Sequence, residues 1–227
     1  MTERHRPAPI VIAIDGPSAS GKGTLAKRIA ERYGFAHLDT GLLYRAVGYL
    51  VRAAGGEPSD PKAALEAARK VSPAILNRPE LRTPEAARAA SIVAAIGPVR
   101  AELLAYQRAF AATPPAGEPG AVLDGRDIGS VICPDARVKI FVTASPQARA
   151  HRRFLELQAQ GSPLTEGEIL SDINERDQRD AARKDAPMVR AEGAHLLDTS
   201  DLSIEAAFAA ACAIIDEQLE KGAAGRA

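Results

Sequence analysis

The chain has 227 residues, 46% hydrophobic but only 4% aromatic, so it can bury one domain's core built from Ala, Leu, Ile and Val. Its 29 basic and 29 acidic residues cancel, which argues against a protein living on nucleic acid, although local arginine clusters remain possible. Cys133 and Cys212 form no metal pattern and no C-x-x-C, and read as buried thiols in a reducing compartment.

The start, "MTERHRPAP", is charged and broken by proline, and the apolar run after it is far shorter than a signal core or a span of about 20 apolar residues. The expectation is a soluble cytoplasmic protein with no membrane or nucleic-acid partner. Residues 1–8 and about 221–227 read as loose ends. His5, His37, His151 and His195 are scattered and receive no catalytic role.

"IVIAI" (10–14) is the first buried-strand pattern. It leads into "DGPSASGKGTLA", in which Gly16 and Gly21-Lys22 have the spacing G-x-x-x-x-G-K between a strand and a helix. Glycines let backbone N–H groups converge on phosphate oxygens, the helix N-terminus adds partial positive charge, and Lys22 adds a full one. The loop residues Gly16, Pro17, Ser18, Ala19, Ser20, Gly21, Lys22, Gly23 and Thr24 are therefore assigned to a nucleotide triphosphate. The residue after Lys22 is Gly23, and the hydroxyl comes one step later at Thr24, as in nucleoside monophosphate kinases. Thr24 is the nearest protein hydroxyl for Mg2+, an ion that keeps much of its water. There is no Asn-Lys-x-Asp of G proteins and no Leu-Ser-Gly-Gly of transporter ATPases.

Further strand patterns lie at "FAHLD" (35–39), "AVLD" (121–124), "VKIFV" (138–142) and "HLLD" (195–198). Near-continuous apolar character fits strands buried on both faces of a parallel sheet. Leu25, Ile29 and Tyr33 recur at helical spacing, and 41–54, 84–112, 145–160, 166–184 and 203–220 also read as helices. Residues 57–83, with five prolines counting Pro84, read as an irregular excursion, and 113–120 as a loop. The alternation defines an α/β fold, with Asp39, Asp124 and Asp198 at strand ends where ligands sit.

"LDTGLLYRA" places Thr40 as a cap on the next helix, with Arg45 forming an anion site. "DGRDIG" (124–129) offers Arg126 to phosphate and Asp127 to an exocyclic amine or a ribose. In "NERDQRDAARKDAP", Arg176, Asp180 and Arg183 fall on one helix face, which suits a lid that neutralises phosphate and excludes water.

"IAIDGPSASGKGTLAK", "LDTGLLYRA", "DGRDIGSVICPDARVKIFVTAS" with "RAHRR", and "NERDQRD" occur in the order found in bacterial cytidylate kinases, and the chain resembles that family from residue 10 to about 215. The resemblance implies a three-layer P-loop fold, with helices on both faces of a central sheet of about five parallel strands in the order 2-3-1-4-5, a small acceptor-binding insertion and a short helical lid. It implies γ-phosphoryl transfer from ATP, with Mg2+, to CMP or dCMP. By resemblance Ser91, Arg100 and Asp127 read cytosine, Arg176 and Asp180 meet the ribose, and Arg45, Arg126 and Arg183 hold phosphates. Thr40 and Tyr44 line the acceptor site and Arg152 lies near the donor. Lys22, Arg126, Arg176 and Arg183 are the catalytic set. The expected organisation is one domain, 1–227, acting as a monomer. Its core is about 8–56, 113–151 and 188–221, its acceptor-binding region about 57–112 and its lid about 152–187. Residues 70–84 look too short for the β insertion that family members often carry. Two other readings stay open at this stage: a kinase for UMP or another phosphorylated metabolite, and a nucleotide-binding regulator without turnover.

Overall fold

A computed structural model describes residues 8–224; the expectations for residues 1–7 and 225–227, His5 among them, lie outside the described residues. Strands β1 (Ile10–Asp15), β2 (Ala36–Asp39), β3 (Gly120–Gly125), β4 (Val138–Thr143) and β5 (His195–Asp198) form one sheet in the order β2-β3-β1-β4-β5. All four pairings are parallel, and Asp39 lies in register with Asp124.

The side chains of the central strands alternate between two cores. Ala13 of β1 and Leu123 of β3 pack against α2 (Thr40–Ala53), α3 (Pro61–Ala68), α5 (Pro84–Val93) and α6 (Gly97–Ala112). Ile12, Ile14 and Val122 pack on the other face against α1 (Lys22–Tyr33) and α9 (Ile204–Ala224). The period-2 alternation of strands sends successive residues to opposite layers, which is why these strands are apolar throughout. A third, smaller core of Ala150, Leu157, Ile169 and Ile173 joins α7 (Pro146–Ala159) to α8 (Glu166–Ala181), with Ala19 of the phosphate loop packed on it.

Residues 57–83 are not irregular. They hold α3, the one-turn α4 (Pro73–Leu76) and a 3-10 turn at Pro79–Arg82. Their prolines start helices: Pro61 follows the Asp60 cap, whose side chain accepts from the Lys62 N–H. Proline at a first helical position loses no hydrogen bond and presets φ. The expected helix 84–112 is two helices, α5 and α6, bent by 104°. Pro98 sits in the first turn of α6, so it too marks a beginning. The helix expected over 166–184 ends at Ala181, leaving Arg183 just beyond it. At the other end of the chain, α9 continues through Ala224 rather than fraying at 221. No strand lies between β2 and β3 among the described residues, in line with a short 70–84 segment.

Helix α2 packs tightly on α5 at Gly48, where a Cβ would lie 2.6 Å from the Ala89 Cβ. Gly48→Ala would gain about 1 kcal/mol of helix propensity. It would also force the helices apart, and overpacking of this kind costs about 1–3 kcal/mol. Net destabilisation of up to about 2 kcal/mol is expected in urea unfolding; a stabilised variant would show that the interface yields freely.

Candidate active site

The phosphate loop turns on three residues with positive φ: Gly16 at 152°, Ala19 at 57° and Gly21 at 84°. At Gly16 a Cβ would stand 2.0 Å from the Val142 carbonyl oxygen, so only glycine fits. Gly21 caps α1 in the left-handed conformation, leaving the helix N-terminus without a side-chain cap and open to an anion. The buried hydroxyls of Ser18 and Ser20 have no protein partner. Lys22 Nζ lies 3.4 Å from the Pro17 carbonyl, folded back over its own loop. Burial, and then the nearby Arg126, pull its ammonium down to about 7.

Two cavities meet at this loop, and a third adjoins one of them through Arg126 and Arg176. The first lies on the donor side, walled by Gly21, Gly23, Thr24, Arg152, Thr199 and Leu202 among others. Arg152 is held there through Nη1 by the Thr199 hydroxyl at 3.1 Å and through Nη2 by the Thr199 carbonyl. The second is a central chamber that brings Lys22 together with Arg45, Arg126, Arg153 and Arg176. Arg45 reaches it from α2, donating to the Leu81 carbonyl at 2.9 Å, and lines this central chamber rather than the third cavity. Arg153 was absent from the sequence-derived set, although it is the second arginine of "HRR".

The third cavity collects almost every acceptor-side residue: Thr40, Tyr44, Ser91, Arg100, Arg126, Asp127, Arg176, Asp180 and Arg183. Buried ion pairs fix their geometry. Arg100 pairs with Asp127, and Arg100 also sits 5.5 Å from the Tyr44 ring centre. Asp180, 1% exposed, accepts from Arg126 Nε at 2.8 Å and from Arg183. Burial works against its charge, but Arg126, Arg183 and Arg176 outweigh it and hold the carboxyl below its ordinary range. Arg176 has no such partner; burial first and Arg126 second lower it to about 9, and its Nε is unpaired. The Ser91 hydroxyl is likewise buried and unpaired. Burial lowers Arg183 as well. Burial also opposes the charge of Arg100, yet Tyr44 and Asp127 prevail and raise it.

Thr40 does not cap α2. It is the helix's first residue, and its hydroxyl instead donates to the Asp124 carbonyl at 2.8 Å, tying α2 to β3. Asp198 turns locally, accepting from the Ser200 N–H and hydroxyl, and takes no part in the three cavities. Asp124 is bonded by His37 at 2.9 Å, and Asp39 beside it is raised by burial and by Asp124.

Asp15 was missed. Its carboxylate accepts the N–H groups of Ile128 at 2.7 Å and Gly129 at 2.8 Å, and so pins the turn that carries Arg126 and Asp127. It ends β1 as Asp39 and Asp124 end theirs, which was the available signal.

A five-stranded parallel sheet in this order, with a glycine loop and lysine at the end of β1, defines a phosphate-loop nucleotide-binding protein. The cytidylate kinase family model matches residues 12–217, and the chain belongs to that family. It is 58% identical over 205 residues to the cytidylate kinase of Paramagnetospirillum magneticum, covering 90% of this chain and 97% of that one. It is 56% identical over 212 residues to that of Rhodospirillum rubrum, covering 93% and 100%. An uncharacterised protein from Eubacterium ventriosum, at 14% identity and TM-score 0.51 over 91% of this chain and 98% of its own, shares the fold.

Burial raises Asp15 from 3.8 to about 6, against its two backbone hydrogen bonds. The native form therefore holds more protons between these values, and stability falls as pH rises through them. The shift is worth about 3 kcal/mol at 1.36 kcal/mol per pH unit. The stability difference between wild type and Asp15→Asn, measured by urea unfolding, should move against the wild type by that amount between pH 4 and 7. A flat difference would contradict the assignment.

Proposed function

We propose that the chain transfers the γ-phosphoryl group of ATP to CMP or dCMP, giving ADP and CDP or dCDP. The observation that carries this is the convergence of Ser91, Arg100 and Asp127 in one pocket that shares Arg126 and Arg176 with the chamber holding the phosphate-loop lysine, in a chain of the cytidylate kinase family. A cytosine edge presents acceptors at O2 and N3 and a donor at the 4-amino group. Arg100 and the Ser91 hydroxyl offer donors, and the Asp127 carboxylate accepts from the amine. Uracil would set its O4 against that carboxylate, an unpaired arrangement that buried sites reject strongly.

In this reading Asp180 positions the sugar, with Arg126 and Arg183 fixed on its two oxygens, and Tyr44 and Thr40 close the pocket floor. Arg45, Arg126, Arg176 and Arg183 hold the acceptor phosphate and the transferring group. The acceptor phosphate is anionic at neutral pH, so its oxygen attacks the γ-phosphorus without a general base, and the bond to ADP breaks. Lys22, Arg126 and Arg176 neutralise the charge that develops, which is the main protein contribution to such reactions. Arg152 borders the donor nucleotide.

Mg2+ is part of the proposal. Among the described residues no group of three His, Cys, Asp or Glu side chains could hold a metal alone. Thr24 offers one exposed hard oxygen on the donor wall, which fits an ion completed by ATP oxygens and water. When bound it supplies charge neutralisation to the phosphates. We further assign residues about 57–112 to acceptor binding and about 152–187 to a lid, in a monomer. No described helix is long and apolar enough to cross a membrane on its own.

A panel of monophosphates with ATP and Mg2+ tests the base assignment. CMP and dCMP should exceed UMP, AMP, GMP and dTMP by about 100-fold or more in kcat/KM, and Asp127→Ala should narrow the CMP-to-UMP ratio. CMP performing no better than AMP, GMP and dTMP would contradict the assignment. Lys22→Ala should lose about 1,000-fold in kcat with its fold intact; unchanged turnover would sink the mechanism.

A further inference from the structure

We infer that Arg149 is a positioning residue that couples the lid helix to the phosphate loop, an inference that rests on the kinase reading above. Arg149 is 3% exposed and lies outside the residues assigned to substrates. Each of its three guanidinium nitrogens has a separate acceptor. Nε donates to the Ala144 carbonyl at 3.0 Å, where β4 passes into α7. Nη1 donates to the Ser18 carbonyl at 3.2 Å, inside the phosphate loop. Nη2 donates to the Asp177 carboxylate at 2.6 Å, on α8. One rigid planar group thus ties the sheet edge, the donor loop and the lid together.

The place of Asp177 on α8 gives this tie its consequence. Arg176 is its chain neighbour and Asp180 lies one turn further on, so fixing Asp177 fixes the rotation of the helix that carries both into the acceptor pocket. At the other end, Ser18 belongs to the loop that would close around the triphosphate, and Ser18 itself lines the central chamber. Among the described residues the other links are weaker: Ala19 packs on the lid's small apolar core without direction, and Arg152 reaches the Ser20 carbonyl only through the Thr199 hydroxyl. The second oxygen of Asp177, Oδ1, is buried without a partner, so the carboxylate depends on Arg149 for its compensation. A donor nucleotide that orders the Ser18 backbone therefore stabilises the lid orientation that presents Arg176 and Asp180 to the acceptor. Binding on the two sides becomes cooperative, and by linkage the effect is reciprocal.

Asp177→Asn keeps the Arg149 bonds to Ser18 and Ala144 while removing the charge that holds the lid. Arg149→Lys keeps the charge but offers one ammonium where three directed donors are needed. Calorimetry would measure CMP affinity with and without a non-hydrolysable ATP analogue and Mg2+. In the wild type the analogue should tighten CMP about fivefold or more. In Asp177→Asn that factor should fall to within about twofold of one, while kcat drops about 10- to 100-fold through misplacement of the reacting groups. Arg149→Lys should behave likewise if it folds. A wild-type factor of one, or a factor in Asp177→Asn within about twofold of a measurable wild-type one, would overturn the inference, even if melting temperature fell. A wild type inactive on CMP would instead overturn the kinase reading, whereas an active wild type with unchanged coupling in the variant sinks only the bridge.

Discussion

The site depends on burying more cationic groups than carboxylates at the carboxyl end of one sheet. Lys22, Arg45, Arg126, Arg153 and Arg176 face a common chamber. Two of them have moved far from their ordinary values, Lys22 to about 7 and Arg176 to about 9, chiefly because water has been removed from around them. Charge in that condition is costly unless matched. Asp180 matches Arg126 and Arg183, and Asp127 matches Arg100. Among the described residues nothing accepts a hydrogen bond from Arg176 Nε or from Arg183 Nε. Phosphate is the natural counter-charge for these groups, so their attraction for it is available both to bind substrate and to stabilise transfer.

The paired and unpaired arginines divide the labour. The paired ones hold shape: Arg100 with Asp127 fixes one wall of the third cavity, and Asp180 with Arg126 and Arg183 fixes another. Each pair is desolvated, so removing one partner strands the other, which is far costlier than losing a surface ion pair such as Lys27 with Glu31. Asp15 acts one step further back by holding the turn from which Arg126 and Asp127 project, with two backbone hydrogen bonds 113 and 114 residues away in sequence.

That distance explains what was legible and what was not. The strands, the phosphate loop and most acceptor residues are local patterns: short apolar runs, glycines at fixed offsets, and arginines in polar turns. The strand order followed from the family resemblance, and the sheet bears it out. Proline makes residues 57–83 look irregular in the sequence, whereas Pro61, behind the Asp60 cap, and Pro73 open helices rather than interrupt them. Thr40 was misread because a helix-start hydroxyl has two competing partners, and the carbonyl of Asp124 won. Asp15, Arg149 and Asp177 have partners that only the folded chain brings near, so no spacing rule could single them out.

The most direct test of the cationic-crowding account is an NMR titration of the Lys22 ζ-nitrogen in the free protein and with an ATP analogue and Mg2+ bound. The account predicts a free-protein value near 7 that rises by at least two units once phosphates supply the missing counter-charge, about 2.7 kcal/mol of differential stabilisation. A Lys22 that titrates near 10.5 in the free protein and does not move on binding would contradict it.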